Sequence, residues 1–286
     1  MSALFGQRRL KQLLTPLLPE SWKAPFRARL YGFRGAEIRL DATFENGADG
    51  PSVTLDHRLR LRFREEDRPD LEYHLVGNGA SIEELASFLS LAATATTFFD
   101  VGAAKGIFSH VFCLAGPDKR AVAYEPSPAM IASARALAAL NGIESRIDLR
   151  HCAVGREPGH RSGRVFSDGL VNVDNTDVSG QALDFDVTTL DAEVERLGAR
   201  PDLVKIDVEG YEYEVLLGAR RLLRERRPAL AFELHLDLLD TRGVSPRQVV
   251  AELKSHGYTF RTCAGRRLSA ADVHDSLNAV LRFVAV

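Results

Sequence analysis

The sequence predicts an α/β protein built on a mostly parallel sheet with helices on both faces and a small N-terminal α+β cap. Three observations predict it. From about residue 95 onward, short apolar runs alternate with helix-like segments. One of these runs, Thr97–Val101, carries Asp100 near its end and leads into the turn Gly102-Ala103-Ala104-Lys105-Gly106. The next run, Ala121–Tyr124, ends in Glu125-Pro126, about 20 positions past that turn. Strand, glycine turn, helix, strand and acid in that order form a Rossmann-type pocket, whose acid accepts the two hydroxyls of a ribose.

The elements can be justified in order. Residues 1–35 set Arg8, Arg9, Lys11, Lys23, Arg27, Arg29 and Arg34 against one acid, Glu20, with Leu10, Leu13, Leu14, Leu17 and Leu18 at helical spacing. A basic amphipathic helix can lie on a membrane or a partner. Pro16 and Pro19 interrupt a long helix, so a short one packing on the main domain is expected. Residues near 36–78 alternate as strands do. His57–Phe63 predicts a strand, Glu65–Asp70 a turn and Leu71–Leu75 a returning strand. Ser81 reads as an N-cap with Glu84 at the capping-box position, ahead of Leu85, Phe88 and Leu89. Residues 1–90 are therefore assigned to a helix and β-rich cap, and 91–286 to the ligand-binding domain.

Within that domain Ser127-Pro128 opens a helix that Asn141-Gly142 closes. Ile147–Val154 predicts a third strand. Residues 156–182, rich in Gly, Ser, Asp, Asn and Arg, predict a long polar insert serving as a lid or acceptor loop. Leu203–Val208 is the fourth parallel strand, followed by a helix over 212–224 that Pro228 stops. Leu230–His235 is the fifth strand. Ser245-Pro246 starts a helix running to His256-Gly257, and the last two strands, near 258–263 and 278–286, are close enough in sequence to pair antiparallel. No internal repeat is seen.

Composition narrows the function. The chain has 286 residues, 45% hydrophobic and 27% charged, enough for a sizeable core. Its net charge of -2 disfavours a nucleic-acid partner. No apolar run reaches the ~18 residues of a membrane span, and no cleavable leader pattern opens the chain. Cys113, Cys152 and Cys263 are widely spaced and odd in number. They form neither a metal motif nor a disulfide framework, so a reducing cytoplasm is expected. No sequence pattern marks an interface, and a homo-oligomer stays open.

The ligand follows from the turn. A dinucleotide needs close backbone approach to its pyrophosphate, but the middle position of this turn is Ala104 rather than Gly. Asp100, just before the turn, would repel phosphates. S-adenosyl-L-methionine has no phosphate and carries an ammonium and a sulfonium, which a carboxylate attracts. The order therefore favours S-adenosylmethionine over NAD or FAD.

Lys205-Ile206-Asp207-Val208-Glu209-Gly210-Tyr211-Glu212 is the second informative stretch. Asp207, Glu209 and Gly210 follow a strand end, where α/β sheets bind ligands, and Glu233 and His235 end a nearby strand. Three carboxylates and an imidazole would gather at one rim, and charges at the ends of buried strands are costly unless used or paired.

Asp100-Val101-Gly102 with Gly106, Glu125-Pro126, the Lys205–Gly210 block with Glu212, Val215-Leu216 with Gly218-Ala219, Pro228 and Glu233 resemble the FkbM family of methyltransferases. Leu190-Asp191 also fits that pattern, and the resemblance covers roughly 80–286. It implies a class I methyltransferase fold with a seven-stranded, mostly parallel sheet and an antiparallel C-terminal strand. It also implies methylation of hydroxyls on sugars, polyketides or other small natural-product intermediates, releasing S-adenosylhomocysteine. Asp100, Gly102, Ala103, Ala104, Gly106, Glu125, Pro126 and Asp207 would hold the cofactor, with Cys152 and Ala153 neighbouring the adenine. The family commonly has Asn where this chain has Ala103.

A hydroxyl acceptor must lose a proton. His235 has the most suitable intrinsic pKa for a base, and Asp207 or Glu209 could serve instead. Glu209, Glu233 and His235 would face the acceptor. Each has a plainer alternative: Glu209 could cap the helix after Gly210, and His235 could simply end its strand. Carboxylates and an imidazole suit a divalent metal, but no ligand spacing is diagnostic and none is expected. Other readings are N-methylation, a macromolecular acceptor, a non-catalytic S-adenosylmethionine-binding protein and, from another class, an NAD-dependent oxidoreductase.

Overall fold

The computed structural model describes residues 40–72, 75, 79–165, 171–172, 181–274, 276 and 279–286. The helix expected within 1–35 lies outside them, as do Tyr73 and His74 of the expected returning strand.

Three strands open the described chain: β1 (Ala42–Gly47), β2 (Gly50–Leu55) and β3 (Leu59–Arg62) form an antiparallel meander. Leu59 and Leu61 are buried while Arg60 is exposed, the period of two that a half-buried strand requires. Val53, Leu55 and Leu61 share one core with Phe88, Phe98 and Phe112. The returning strand is not formed. Arg68–Glu72 is a helix, α1, with Pro69 in its first turn. Leu71 and Leu75 are buried four residues apart, a spacing that also suits one helix face.

The helix α2 (Gly79–Ala92) starts before Ser81. Ser81 is a buried interior residue rather than an N-cap, and Glu84 turns to Lys205 and Arg282 instead of closing a capping box.

An α/β alternation follows. It runs β4 (Thr97–Val101), α3 (Ile107–Leu114), β5 (Arg120–Tyr124), α4 (Pro128–Asn141) and β6 (Ile147–Arg150). Ser127 accepts from the Met130 amide and Gly142 closes α4 in the left-handed conformation, as expected. The third strand ends at Arg150. Ala153–Val154 (β7) leaves the main sheet and pairs with a second one.

That second sheet corrects the reading of the insert. β8 (Gly159–Val165), β9 (Val171–Asn172) and β10 (Gln181–Thr188) join β7 in the order β7-β10-β8-β9. Phe185 of β10 is buried while Asp184 and Asp186 are exposed. Residues 166–170 and 173–180 of the insert lie outside the described residues.

The chain continues through α5 (Leu190–Leu197), β11 (Leu203–Ile206), α6 (Glu212–Leu217), α7 (Arg220–Glu225) and β12 (Ala229–His235). The single helix expected over 212–224 is broken at Gly218. A Cβ there would lie 2.0 Å from the Gly155 carbonyl oxygen, so only glycine admits this approach. Asp191 caps the restarted helix, accepting from the Arg221 and Leu222 amides at 2.9 and 2.8 Å.

The remaining elements are α8 (Leu236–Thr241), α9 (Pro246–Ser255), β13 (Phe260–Thr262), β14 (Arg267–Leu268), α10 (Ala270–His274) and β15 (Val280–Ala285). The main sheet has the order β14-β13-β15-β12-β11-β4-β5-β6. β12 through β6 are parallel and β15 runs antiparallel between β12 and β13. The seven expected strands are present, and the two-residue β14 adds a short edge. Strand order reverses between β4 and β11, and the crevice at their carboxyl ends is where such a sheet binds ligands.

Candidate active site

The glycine turn is forced by the crevice. Gly102 has φ +78°, and a Cβ on it would sit 1.8 Å from the Asp207 carbonyl oxygen. The turn therefore lies directly on the segment after β11, and the Asp207 amide bonds Val101 across it at 3.0 Å. Gly102 and Ala103 amides both donate to the Tyr124 carbonyl at 3.0 Å, fixing the turn to β5. Ala104 takes φ +48°, and its amide donates to Glu125 Oε2 at 2.9 Å. The Ser127 amide donates to Glu125 Oε1 at 2.8 Å. Each carboxylate oxygen keeps a lone pair for a further donor. Burial pushes Glu125 up to about 7, against the pull of these two amides.

A cavity of about 720 Å³ opens over this turn. Gly102, Ala104, Glu125 and Pro126 line it together with Asp207, Val208 and Glu209. Ala153, Phe185 and Val187 of the second sheet supply an apolar wall, and Arg161 and Ser162 of the insert join them in the lining. Ala103, Gly106, Asp100 and Cys152 are not in the lining. Asp100 lies behind the turn, 1% exposed, where it accepts from Ser109 Oγ at 2.7 Å. Burial raises it to about 6 although Lys205 opposes this. Cys152 is buried beside Ala153.

Beyond the carboxyl ends of β11 and β12 charges converge from four separate stretches. Lys205 Nζ lies 2.6 Å from Asp207 Oδ2 and 3.7 Å from Glu84 Oε1. Arg282 bonds Glu84 at 3.0 Å and also Glu233. His235 Nδ1 is 2.7 Å from Glu212 Oε1, and its Nε2 is 3.3 Å from Glu209, 3.8 Å from Glu233 and 3.9 Å from Asp207. Burial alone would depress the imidazole. The Glu212 hydrogen bond and the Glu209 and Asp207 charges outweigh it and raise His235 to about 9. His235 is thus an imidazolium near neutrality. It and Glu233 are buried behind the lining, while Asp207 and Glu209 face the cavity. Burial raises Asp207 too, but Lys205 and His235 reverse this and hold it below its ordinary value. Burial leads in raising Glu209 above its own.

Several site residues carry no local sequence signal. Glu84 and Arg282 reach the rim from α2 and β15. The Arg242 guanidinium stacks 3.4 Å over the Tyr211 ring at the cavity edge. Tyr124 and Tyr211 line the cavity, and their buried hydroxyls have no hydrogen-bond partner among the described residues.

The reversed-strand sheet, the turn over β4 and the acid after β5 define a Rossmann-like α/β domain. The chain belongs to the FkbM methyltransferase family: the profile of the methyltransferase FkbM domain matches residues 100–260, more than half of it. A relative, the 31-O-demethyl-FK506 methyltransferase FkbM of Streptomyces tacrolimicus, is 30% identical over 208 residues, 62% of this chain and 77% of the relative. Among solved structures, methyltransferase FkbM from Methylobacillus flagellatus is 18% identical with a TM-score of 0.42, over 78% of this chain. This chain spans 56% of that structure's length. The O-methyltransferase TomG from Streptomyces achromogenes is 13% identical with a TM-score of 0.41, over 79% of this chain and 90% of that one. Among the described residues, no helix is long and apolar enough to cross a membrane.

Proposed function

We propose that this methyltransferase uses S-adenosyl-L-methionine to methylate a hydroxyl of a small molecule such as a sugar, a polyketide or another natural-product intermediate. One observation carries the reading: Gly102, Ala104 and Glu125 line the same cavity as Asp207 and Glu209. A nucleoside seated on Glu125 would direct its sulfonium toward the acidic rim. Free, buried cysteines fit a cytoplasmic protein.

The cofactor supplies an electrophilic methyl group. The acceptor oxygen attacks that methyl in line, the O–CH₃ bond forms, the S–CH₃ bond breaks, and S-adenosylhomocysteine leaves. The hydroxyl proton passes to a base. His235 begins as an imidazolium behind the lining, so it fits a positioning role better than the proton acceptor expected of it. Asp207 is pinned by Lys205. Glu209 faces the cavity with its basicity raised by burial, and we assign it as the base.

Incubation with methyl-labelled S-adenosylmethionine and a panel of hydroxylated and aminated acceptors tests the reading. Label on an acceptor oxygen supports it. Label on nitrogen only, or on a macromolecule only, replaces the acceptor.

A further inference from the structure

We propose that Asp207, Glu233 and His235 form a divalent-cation site beside the cavity, next to Glu209. The sequence alone offered no diagnostic spacing, because the ligands come from two adjacent strands. Glu233 and His235 stand two apart on β12 and point to one face, and Asp207 follows β11 next to it. One ligand atom from each of the three lies within 4.8 Å of the others. An ion about 2.1 Å from each donor needs donors about 3.4 Å apart in a tetrahedral arrangement. His235 Nε2 is already 3.3, 3.8 and 3.9 Å from Glu209, Glu233 and Asp207.

The ring is oriented from behind. Its Nδ1 is held by Glu212, which is fully buried, and Nε2 is thereby turned to the carboxylates. Metal-binding imidazoles are oriented by such carboxylates. Lys205, which now occupies Asp207, has a second place to go. Glu84 is 6% exposed, and its Oε1 has no hydrogen-bond partner among the described residues, 3.7 Å from Lys205 Nζ. The ammonium holds Asp207 through Oδ2, whereas Oδ1 is the oxygen that faces His235 Nε2. The charge fits too: among the described residues Glu84, Asp207, Glu209, Glu212 and Glu233 face Lys205 and Arg282, and His235 gives up its Nε2 proton when it binds the ion. One nitrogen among oxygen donors suits Mn²⁺, Fe²⁺ or Zn²⁺ better than Mg²⁺. Asp207 and Glu209 line the cavity while Glu233 and His235 lie behind it, so the open coordination positions face the acceptor.

The binding step does not depend on methyl transfer; only the ion's use for an acceptor oxygen rests on the function proposed above. Chelator-treated protein is titrated with Mn²⁺, free ion being read by electron paramagnetic resonance and S-adenosylhomocysteine binding by calorimetry. A single ion should bind, roughly tenfold or more weakly in His235→Ala and Glu233→Gln that still bind S-adenosylhomocysteine. If those variants do not fold, pulsed resonance of the wild-type Mn²⁺ complex decides by the imidazole nitrogen coupling. Absence of stoichiometric binding to wild type, unchanged affinity in a folded variant, or absence of nitrogen coupling overturns the site. Mn²⁺ binding without S-adenosylhomocysteine binding keeps the site and removes the methyl-transfer reading.

Discussion

Replacing Gly102 by Ala should damage fold and site together, and the size of the effect can be worked from two terms. The first is conformational. At φ +78° a Cβ costs roughly 1–2 kcal/mol. The second is steric. The new Cβ would meet the Asp207 carbonyl oxygen at 1.8 Å, where real Cβ contacts stay above 3.0 Å. The turn and the segment after β11 must separate, which strains the 3.0 Å Asp207–Val101 hydrogen bond. Overpacking of this kind costs about 1–3 kcal/mol more. The total expected is about 2–5 kcal/mol. Gly142→Ala isolates the first term, because Gly142 has φ +65° but nothing within 4 Å of the point a Cβ would occupy. That change should cost about 1–2 kcal/mol. Denaturant unfolding of the two variants gives the steric term by difference, and calorimetry reports S-adenosylhomocysteine affinity. If Gly102→Ala is no less stable than Gly142→Ala and binds S-adenosylhomocysteine as wild type does, the close packing of turn and rim is refuted.

Three further outcomes follow from the site. Glu125→Gln should weaken S-adenosylhomocysteine binding about 10–100-fold by turning charged hydrogen bonds into neutral ones; an unchanged dissociation constant would remove the ribose role. Glu209→Gln should lower kcat roughly 10²–10⁴-fold while S-adenosylhomocysteine binding stays intact, and undiminished turnover would take Glu209 out of the chemistry. His235 should make stability depend on pH. Its folded pKa of about 9 exceeds its ordinary 6.5, so its contribution is full below about 6.5 and is lost as pH rises through about 9. The loss is at most about 3 kcal/mol. Unfolding free energies of wild type should therefore fall relative to His235→Gln over that window; parallel curves would mean that His235 is not held as an imidazolium.

The parts legible in the sequence were those written locally. The turn at Gly102 and the acid at Glu125 lie within one strand-helix-strand unit, so spacing alone placed them. The strand Gln181–Thr188 also had a local signal, the alternation of Leu183, Phe185 and Val187, but polar neighbours on both sides masked it. The segment Leu71–Leu75 was ambiguous, because buried positions four apart satisfy both strand and helix periods. The protonation of His235 was not legible. Its intrinsic pKa suggested a base, but its state is set by Glu212, Glu209 and Asp207, which only the adjacency of β11 and β12 brings to it. Arg282 and Glu84 are distant in sequence from the rim they join, and no pattern around either one announces a site.

The most direct test is calorimetric titration of the purified protein with S-adenosylhomocysteine, with NAD as the control. The account predicts micromolar binding of S-adenosylhomocysteine and none of NAD. Binding of NAD alone, or of neither, would contradict the assignment of the cavity.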